Sequence, residues 1–516
     1  MTNAFIVWQS VEPDRASYID QCEELDVISN KDMTAIYQHI DNNMSGTIES
    51  LKEYVRHPSV SVGNGEGMLA CAELVAQRYR ELGCSDIEIV DTCTFPGVYA
   101  YFDAGAPLTL LNYNMYDVRS IGERAAWTRA PFDPVIEPRG DIPAVMYGRG
   151  AFVPKGADTA WLAALKAIKA VTGNLPVNII FLAEGDEILG SPSYVELIER
   201  YKKQLDRARG LLYLRGSQNA QGEVPLVLGY KSFITFELEV SGKSWGRGAN
   251  GASAHSALRT LVDSPALRLC QVVSSLYDAH GRLAIRDWLP HLAKEEVPNS
   301  ERAMVDALLA QFAGKPLADC LPGMAGLNVP RFVDNLTGPE VLTRYIYGSA
   351  LNIQGIYSGY IGPGSRTFTI PDTATARFDA RLVTTAAPEV FLAGLRLHLD
   401  EHGFSDVTVK VISAYPGSRT RLTSDLVQSW LRAVEKNGGK PVLWPGQAYG
   451  GPWSMLAHDF GMPVVFGAGI GHGGNVALPD EFVVIDGGGK VSGLREMARF
   501  SADLIADFAA TAGKQA

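Results

Sequence analysis

Apolar positions in the first 230 residues follow two spacings, one typical of strands and one typical of helices. Short apolar runs bounded by turn residues predict strands at IEIV, VYAYF, LTLLNY, VNIIFLA and GLLYL. Helical spacing occurs over residues 35–56, 67–82, 157–171 and 194–205. Strands that alternate with helices predict an α/β fold built on a mostly parallel sheet.

The pattern changes near residue 231, where SFITFELEV alternates like a strand with one solvated face. Further strands are predicted at TFTI, ATARFDARLV and VTVKVIS, and helices over residues 265–279, 296–314 and 388–402. The last hundred residues return to the α/β spacing. The sequence therefore predicts an N-terminal arm (1–35) and an α/β domain (36–231 plus 415–516) interrupted by a smaller α+β unit (232–414).

Composition and charge narrow the classes of partner. The chain has 516 residues and a formal net charge of −11, which disfavours binding to nucleic acid or to anionic membranes. No apolar run reaches the roughly 18 residues of a membrane span, and no basic segment precedes the first apolar stretch. The six cysteines form no CxxC pair, so we expect them to be buried apolar residues. These features predict a cytoplasmic protein.

Three short motifs suggest chemistry only weakly. Residues 242–246, GKSWG, match a serine nucleophile elbow around Ser244, but a glycine-rich loop follows where that motif needs a helix. Residues 246–251, GRGANG, match a dinucleotide-binding loop without its second strand. His472 in GHGGN is a candidate substrate-binding residue.

Five longer segments carry a more specific signal. They occur in the order LLNYNMYDV, MYGRGAFVPKG, FLAEGDEILGSPS, LNIQGIYSGYIGPGSRTFTIPDTATARFDARLV and LPDEF. Together, over about residues 36–510, they resemble the zinc aminoacylase and carnosinase family of peptidases. That family includes acetylornithine deacetylase, succinyl-diaminopimelate desuccinylase and the carnosinase-like dipeptidases. The resemblance implies amide hydrolysis by two zinc ions at the sheet edge. It also implies that the inserted unit (232–414) is a lid that closes the cleft and forms a homodimer.

The family's zinc ligands, two histidines and three acids, fall on positions that hold other residues in this chain. The resemblance places them at Met115, Val153, Ile188, Arg215 and Ala477. Valine, isoleucine and alanine offer no donor, a thioether rarely binds zinc, and an arginine repels a cation. We therefore expect no metal and no other cofactor.

Other family positions keep their residue type. The resemblance implies that Glu187 is the general base, that Asp117 orients the site and that His255 stabilises an oxyanion from across a dimer. It also implies that Arg381 holds a substrate carboxylate, and Lys155 and Glu481 match further motif positions that we assign to substrate binding. Arg215 supplies a positive charge where the metal is lost. The replacement of all five zinc ligands together suggests a pocket adapted to other chemistry. Random loss would more often leave unpaired buried carboxylates.

Three hypotheses remain open at the level of sequence. The first is a metal-independent enzyme that cleaves an amide-type bond of a small N-acyl or peptidic carboxylate, with Glu187 as base and His255 and Arg215 stabilising the oxyanion. The second is a lyase or isomerase in which Glu187 removes a substrate proton. The third is a non-catalytic relative that binds a ligand in the old cleft. Tyr116 and Tyr213 are further acid/base candidates, and the fold alone does not decide.

Overall fold

The computed structural model describes residues 28–324, 327–365 and 368–512. Of the predicted N-terminal arm, residues 1–27 lie outside the described residues. Residues 28–230 form the elements α1 (Asn30–Asn42), α2 (Met44–Arg56), α3 (Met68–Leu82), β1 (Asp86–Val90), β2 (Gly97–Phe102), β3 (Thr109–Met115), β4 (Val135–Arg139), β5 (Ile142–Tyr147), α4 (Lys155–Thr172), β6 (Asn178–Glu184), α5 (Pro192–Arg200), α6 (Lys202–Leu205), β7 (Ala208–Tyr213), β8 (Glu223–Val227) and β9 (Gly229–Tyr230).

The rest of the chain alternates between a second group of strands and a return to helices. The next elements are β10 (Ser232–Ser241), α7 (Gly242–Trp245), β11 (Ala254–His255), α8 (Pro265–Ser275), α9 (Arg302–Gln311), α10 (Leu317–Cys320), α11 (Pro339–Tyr347), β12 (Ala350–Tyr357), β13 (Thr369–Ile370), β14 (Thr373–Leu382), α12 (Pro388–Glu401) and β15 (Thr408–Tyr415). The last are β16 (Ser418–Arg419), α13 (Asp425–Lys436), β17 (Lys440–Trp444), α14 (Trp453–Phe460), β18 (Val464–Phe466), β19 (Gly473–Gly474), β20 (Phe482–Asp486) and α15 (Leu494–Ala512).

A six-stranded sheet in the order β1-β2-β6-β3-β7-β18 forms the centre of the larger unit. Strands β6, β3, β7 and β18 pair in parallel, whereas β1 and β2 join through antiparallel pairings. Both faces of the sheet are buried, one under α4, α13 and α15 and the other under α5, α6 and α14. The predicted α/β class is confirmed. Because both faces of the sheet are buried, its parallel strands consist of continuous apolar runs.

Two helices expected as single segments are each divided in two. Asn43 separates α1 from α2, because its side-chain amide donates to the His39 carbonyl (2.8 Å) and competes with the helix. Tyr201 separates α5 from α6, where its ring stacks on Tyr99 (4.0 Å between centroids) and its hydroxyl donates to Glu88 (2.6 Å). In both cases a side-chain interaction replaces the next turn of helix.

The inserted segment contributes a four-stranded antiparallel sheet in the order β12-β14-β10-β15. Helices α8 and α12 cover one face around Phe236, Phe378 and Trp288. Its middle part, with α9 and α11, packs instead on Trp444 of the larger unit. The predicted unit 232–414 is therefore anchored at its centre as well as at its ends.

The cysteine prediction holds in part. Cys71 and Cys84 are buried and Cys320 is half-buried, but Cys93 in the β1–β2 loop and Cys270 on the outer side of α8 are exposed, so that expectation is wrong for these two. Cys22 lies outside the described residues. No described helix is both long enough and apolar enough to cross a membrane.

Candidate active site

Three neighbouring parallel strands bring the candidate residues to one sheet edge. Strand β3 ends at Met115, two residues before Asp117, and Met115 pairs with Glu184 at the end of β6. Glu187 follows β6 by three residues, and Arg215 follows the end of β7 by two. Because carboxyl ends of parallel strands meet at one edge of a sheet, the three loops form a common cleft.

Asp117 anchors the loop that carries Glu187. Its buried carboxylate accepts hydrogen bonds from the backbone N–H groups of Glu187 (3.3 Å) and Ile188 (3.1 Å), and from the Ser61 hydroxyl (2.7 Å). Burial, and then the charge of Glu187, raise the pKa of Asp117 to about 7, although the hydrogen bonds oppose the shift. Asp117 therefore holds the backbone of the Glu187 loop in place.

Glu187 begins a single turn of 3-10 helix and is partly exposed. Burial raises the pKa of its carboxyl group, while the guanidinium groups of Arg119 and Arg215 oppose that rise. Among the described residues no side chain forms a hydrogen bond or ion pair with the Glu187 carboxylate. Its lone pairs are therefore free to accept a proton from a bound molecule.

A second layer of carboxyl groups lies beneath this loop. Glu184 accepts hydrogen bonds from the Tyr113 hydroxyl (2.5 Å) and the Ser191 hydroxyl (3.0 Å), and Asp186 accepts one from the Ser193 hydroxyl (2.5 Å). Burial, and then the neighbouring charge of Asp186, raise the pKa of Glu184 far above its usual range. This environment favours the neutral form of Glu184.

The positions of the family's zinc ligands do not form a zinc site here. Met115 and Val153 pack in an apolar cluster with the rings of Tyr113, Tyr213 and Trp453. Nowhere in residues 28–324, 327–365 and 368–512 do three or more His, Cys, Asp or Glu side chains form a group that could hold a metal ion. The donor set does not suit a zinc pair, which needs imidazole and carboxylate ligands.

Ile188 and Ala477 complete the same group of positions, and both are partly exposed. The guanidinium of Arg215 lies 6.0 Å from the centre of the Phe152 ring, and its Nε has no hydrogen-bond partner among the described residues. The Tyr213 hydroxyl, on a side chain that is 4% exposed, also lacks one. Both atoms are donors, so this part of the site suits an acceptor-rich or anionic group.

Glu481 and Lys155 shape the loops around the cleft. Glu481 accepts hydrogen bonds from Arg149 (2.9 Å) and from the backbone N–H groups of Gly150 (3.1 Å) and Val153 (3.1 Å). The buried Lys155 ammonium donates to the carbonyls of Tyr54 (3.0 Å) and His57 (2.6 Å), at the C-terminal end of α2. The substrate contacts expected for both residues are replaced by contacts with the protein itself, because each is fully buried.

His255 and Arg381 both lie on the inserted unit. His255 is exposed on the β11–β13 ribbon, where its Nδ1 accepts from the Ala257 N–H (3.1 Å) and its ring lies 6.0 Å from that of Phe368. The Arg381 guanidinium stacks 3.9 Å from the centre of the Phe233 ring and lies 3.4 Å from Asp379. No described contact joins either side chain to Glu187 within this single chain.

Two other candidates have contacts away from Glu187. The His472 ring bonds the Gln218 carbonyl through Nδ1 (2.9 Å). The hydroxyl of the buried Tyr116 donates to the Pro96 carbonyl, which makes Tyr116 a structural residue. Tyr213 remains a candidate acid or base, because the charges of Arg215 and Glu187 both act on its hydroxyl.

Sequence reasoning missed Arg119, Ser61 and Asp186. Arg119 acts on Glu187 more strongly than Arg215 does, and it stands directly after the MYDV stretch that locates Asp117. A search for charged residues beside each motif would have found Arg119 and Asp186. Ser61 lies 56 residues before Asp117 in a turn-rich segment, and no local signal marks it.

Known proteins resemble the chain over most of its length. The model of peptidase family M20/M25/M40 matches residues 116–506. The beta-Ala-His dipeptidase of Rattus norvegicus is 26% identical over 390 residues, covering 71% of this chain and 73% of the relative. The Cys-Gly metallodipeptidase dug1 of Schizosaccharomyces pombe is 24% identical over 368 residues, covering 69% and 72%.

Solved structures agree with the family match. The M20 family metallo-carboxypeptidase Sso-CP2 from Sulfolobus solfataricus superposes with a TM-score of 0.74 at 25% identity, covering 90% of this chain and 99% of that one. Human carnosine dipeptidase 1 has the same fold, with a TM-score of 0.64 at 20% identity over 93% of this chain and all of the other. The family model spans well over half of the chain, and this protein therefore belongs to peptidase family M20/M25/M40, with the hydrolase fold of that family.

Proposed function

We propose that this protein cleaves an amide-type bond of a small N-acyl or peptidic carboxylate without a bound metal, using Glu187 as general base. The observation that carries the proposal is the environment of Glu187. Its carboxylate has no protein partner, two guanidinium groups flank it, and Asp117 fixes its backbone. The five positions that hold zinc in the family offer a thioether, three alkyl groups and a guanidinium instead.

In the proposed reaction, Glu187 accepts a proton from water as the water oxygen attacks the amide carbon. The negative charge that develops on the carbonyl oxygen is stabilised by Arg215 and by His255 of the partner subunit. The C–N bond then breaks, and the proton on Glu187 passes to the leaving nitrogen. The products are a carboxylic acid and an amine, and Glu187 regains its charge.

Carboxylate recognition is assigned to Arg381. Its guanidinium is partly exposed, is held flat on Phe233, and has Asp379 at 3.4 Å as its carboxylate neighbour. A guanidinium placed in this way can present two parallel N–H groups to a substrate carboxylate. The relatives include proteins named as dipeptidases, and a dipeptide ends in such a carboxylate, which supports this assignment.

The proposal includes a homodimer formed through the inserted unit. His255 has no described contact with Glu187 in its own chain, so a second copy would have to bring it over the cleft. The edge strand β12 exposes Ile356 and Tyr357, and Phe368 beside His255 is also exposed. Exposed apolar groups on an edge strand favour pairing with another chain.

The alternative is a proton-transfer enzyme on the same scaffold. A partly desolvated carboxylate between two arginines is suited to removing a carbon-bound proton and stabilising the resulting anion. Mass spectrometry of the products distinguishes the two functions, because hydrolysis adds the mass of water and isomerisation or elimination does not. A non-catalytic ligand-binding role would leave every substrate unchanged.

Replacing Arg215 by methionine is expected to move the acid limb of the kcat/KM profile to higher pH. Arg215 lowers the pKa of Glu187, so its removal raises that pKa, and the base becomes deprotonated only at higher pH. The measurement is the pH dependence of kcat/KM for the wild type and the variant. Arg119→Met should shift the limb in the same direction, whereas Arg282→Met, which changes an exposed arginine of the inserted unit, should not. An unmoved limb in both site variants would show that Glu187 is not the titrating base.

A further inference from the structure

A separate cavity lies where the chain crosses between the two units. Its volume is about 480 Å³, and its walls include β9 and β16, the paired segments that carry the chain into and out of the inserted unit. Thr384 and Thr385 line it from the inserted unit, and Gly446 and Gln447 line it from the larger unit. We call it the hinge cavity, because an occupant would touch both units where the chain crosses between them.

The cavity is lined by Lys231, whose buried ammonium group has no carboxylate partner among the described residues. Lys231 is 7% exposed, and its Nζ donates to the carbonyls of Tyr345 (2.9 Å) and Gly348 (2.7 Å). An ammonium has three protons to donate, so one remains for an occupant. Among the described residues, no carboxylate oxygen lies within 4 Å of this Nζ.

The other charged groups of the cavity do not cancel the positive charge of Lys231. Arg419 is neutralised by Glu301 (2.7 Å), which also accepts a hydrogen bond from the Tyr347 hydroxyl (2.6 Å). Lys294 and Glu296 lie exposed at the mouth and offset one another. Glu295, the carboxylate that acts on Lys231, is paired with Arg344 (2.8 Å), so the positive charge of Lys231 is left unbalanced.

The remaining wall is largely apolar. Leu292, Val297, Ile346 and Val383 line the cavity beside Lys231. A cavity of this size accommodates a small organic molecule, and such sites combine apolar walls with a few polar anchors. The combination suits a molecule with one anionic end and an apolar body.

We infer that the hinge cavity is a binding site for a small organic carboxylate, whose carboxylate contacts Lys231 and whose apolar body packs on Val383 and Ile346. This inference does not depend on the proposed function, because none of the residues that line the cavity is assigned there to catalysis or substrate binding. A bound carboxylate would join the inserted unit to the larger unit at the crossover segments. Its occupancy would therefore restrain the relative movement of the two units.

Binding should weaken as the pH rises through about 8. Burial lowers the pKa of Lys231 to about 8, and the nearby Glu295 opposes this effect while Arg381 and Arg419 add to it. Above that pH the anchor becomes neutral, and its attraction for a carboxylate is lost. The charged and titratable groups that face Lys231 or line the cavity are His291, Lys294, Glu295, Glu296, Glu301, Arg381 and Arg419.

The test is isothermal titration calorimetry of the full-length protein with 3-phenylpropanoate and its neutral counterpart 3-phenylpropan-1-ol. Neither probe contains an amide bond. We expect one equivalent of the carboxylate to bind at pH 7, with the alcohol at least about tenfold weaker. Lys231→Met should lower the affinity for the carboxylate by a similar factor and remove its pH dependence.

Two further variants keep the inference open to refutation if Lys231→Met folds poorly. Thr385→Glu places a negative charge at the exposed mouth and should weaken carboxylate binding without disturbing the core. Arg215→Met, in the cleft, should leave the affinity unchanged. The inference is overturned if the wild type binds neither probe, if it binds both equally, or if Arg215→Met rather than Thr385→Glu removes binding.

Discussion

Glu187→Gln is expected to lower turnover by about 10²–10⁴-fold, the usual contribution of a general base. Glutamine keeps the size of the side chain but cannot accept a proton from water. The fold should be unaffected, since the Glu187 carboxylate makes no hydrogen bond or ion pair with other described residues. The measurement is turnover on a panel of dipeptides and N-acyl amino acids, read by mass spectrometry, together with thermal unfolding of both proteins.

The matched control is Glu123→Gln, which makes the same chemical change at an exposed position. It should retain full activity. If Glu187→Gln turns over its substrate as fast as the wild type does, Glu187 is not the base under either enzymatic hypothesis. A wild type that binds panel members and converts none of them would instead favour the non-catalytic role.

Glu481→Ala is expected to lower the free energy of unfolding by about 3–5 kcal/mol, the cost of leaving one partner of a buried ion pair alone. Both side chains of the Arg149–Glu481 pair are 2% exposed. The substitution also removes the acceptor for the N–H groups of Gly150 and Val153. The measurement is equilibrium unfolding in denaturant, compared with the wild type.

Glu81→Ala serves as the control for this second prediction, because it breaks an exposed ion pair with Lys166. Exposed pairs contribute about 0–1 kcal/mol, so the effect should be small. Equal stability of Glu481→Ala and the wild type would contradict the scaffolding role. It would return Glu481 to the substrate-binding role that the sequence suggested.

The location of the site could be predicted from the sequence because its motifs stand at strand ends. The runs LTLLNY, VNIIFLA and GLLYL end directly before the loops of Asp117, Glu187 and Arg215, and parallel neighbours bring such loops together. The positions of motifs at strand ends do not show which side chains contact one another. Arg119 comes close to Glu187 only through the path of the chain after β3.

The differences between the sequence-based expectations and the structure have similar physical causes. Lys155 and Glu481 stand in motifs that suggest ligand contact, yet each is buried by segments distant in sequence, such as α2 and the loop after β5. The antiparallel sheet β19-β20-β5-β4 was not predicted, because β19 has only two glycines and carries no apolar pattern. Pairing over more than 300 residues, as between β5 and β20, leaves no local signal.

The central claim is that the rebuilt site works without zinc, and metal analysis of the purified active protein tests it most directly. Inductively coupled plasma mass spectrometry should find far less than one zinc ion per chain, and turnover should survive a strong chelator. This follows from the side chains at Met115, Val153, Ile188, Arg215 and Ala477, which offer no zinc site. Two tightly held zinc ions per chain, with activity lost on chelation, would contradict the account.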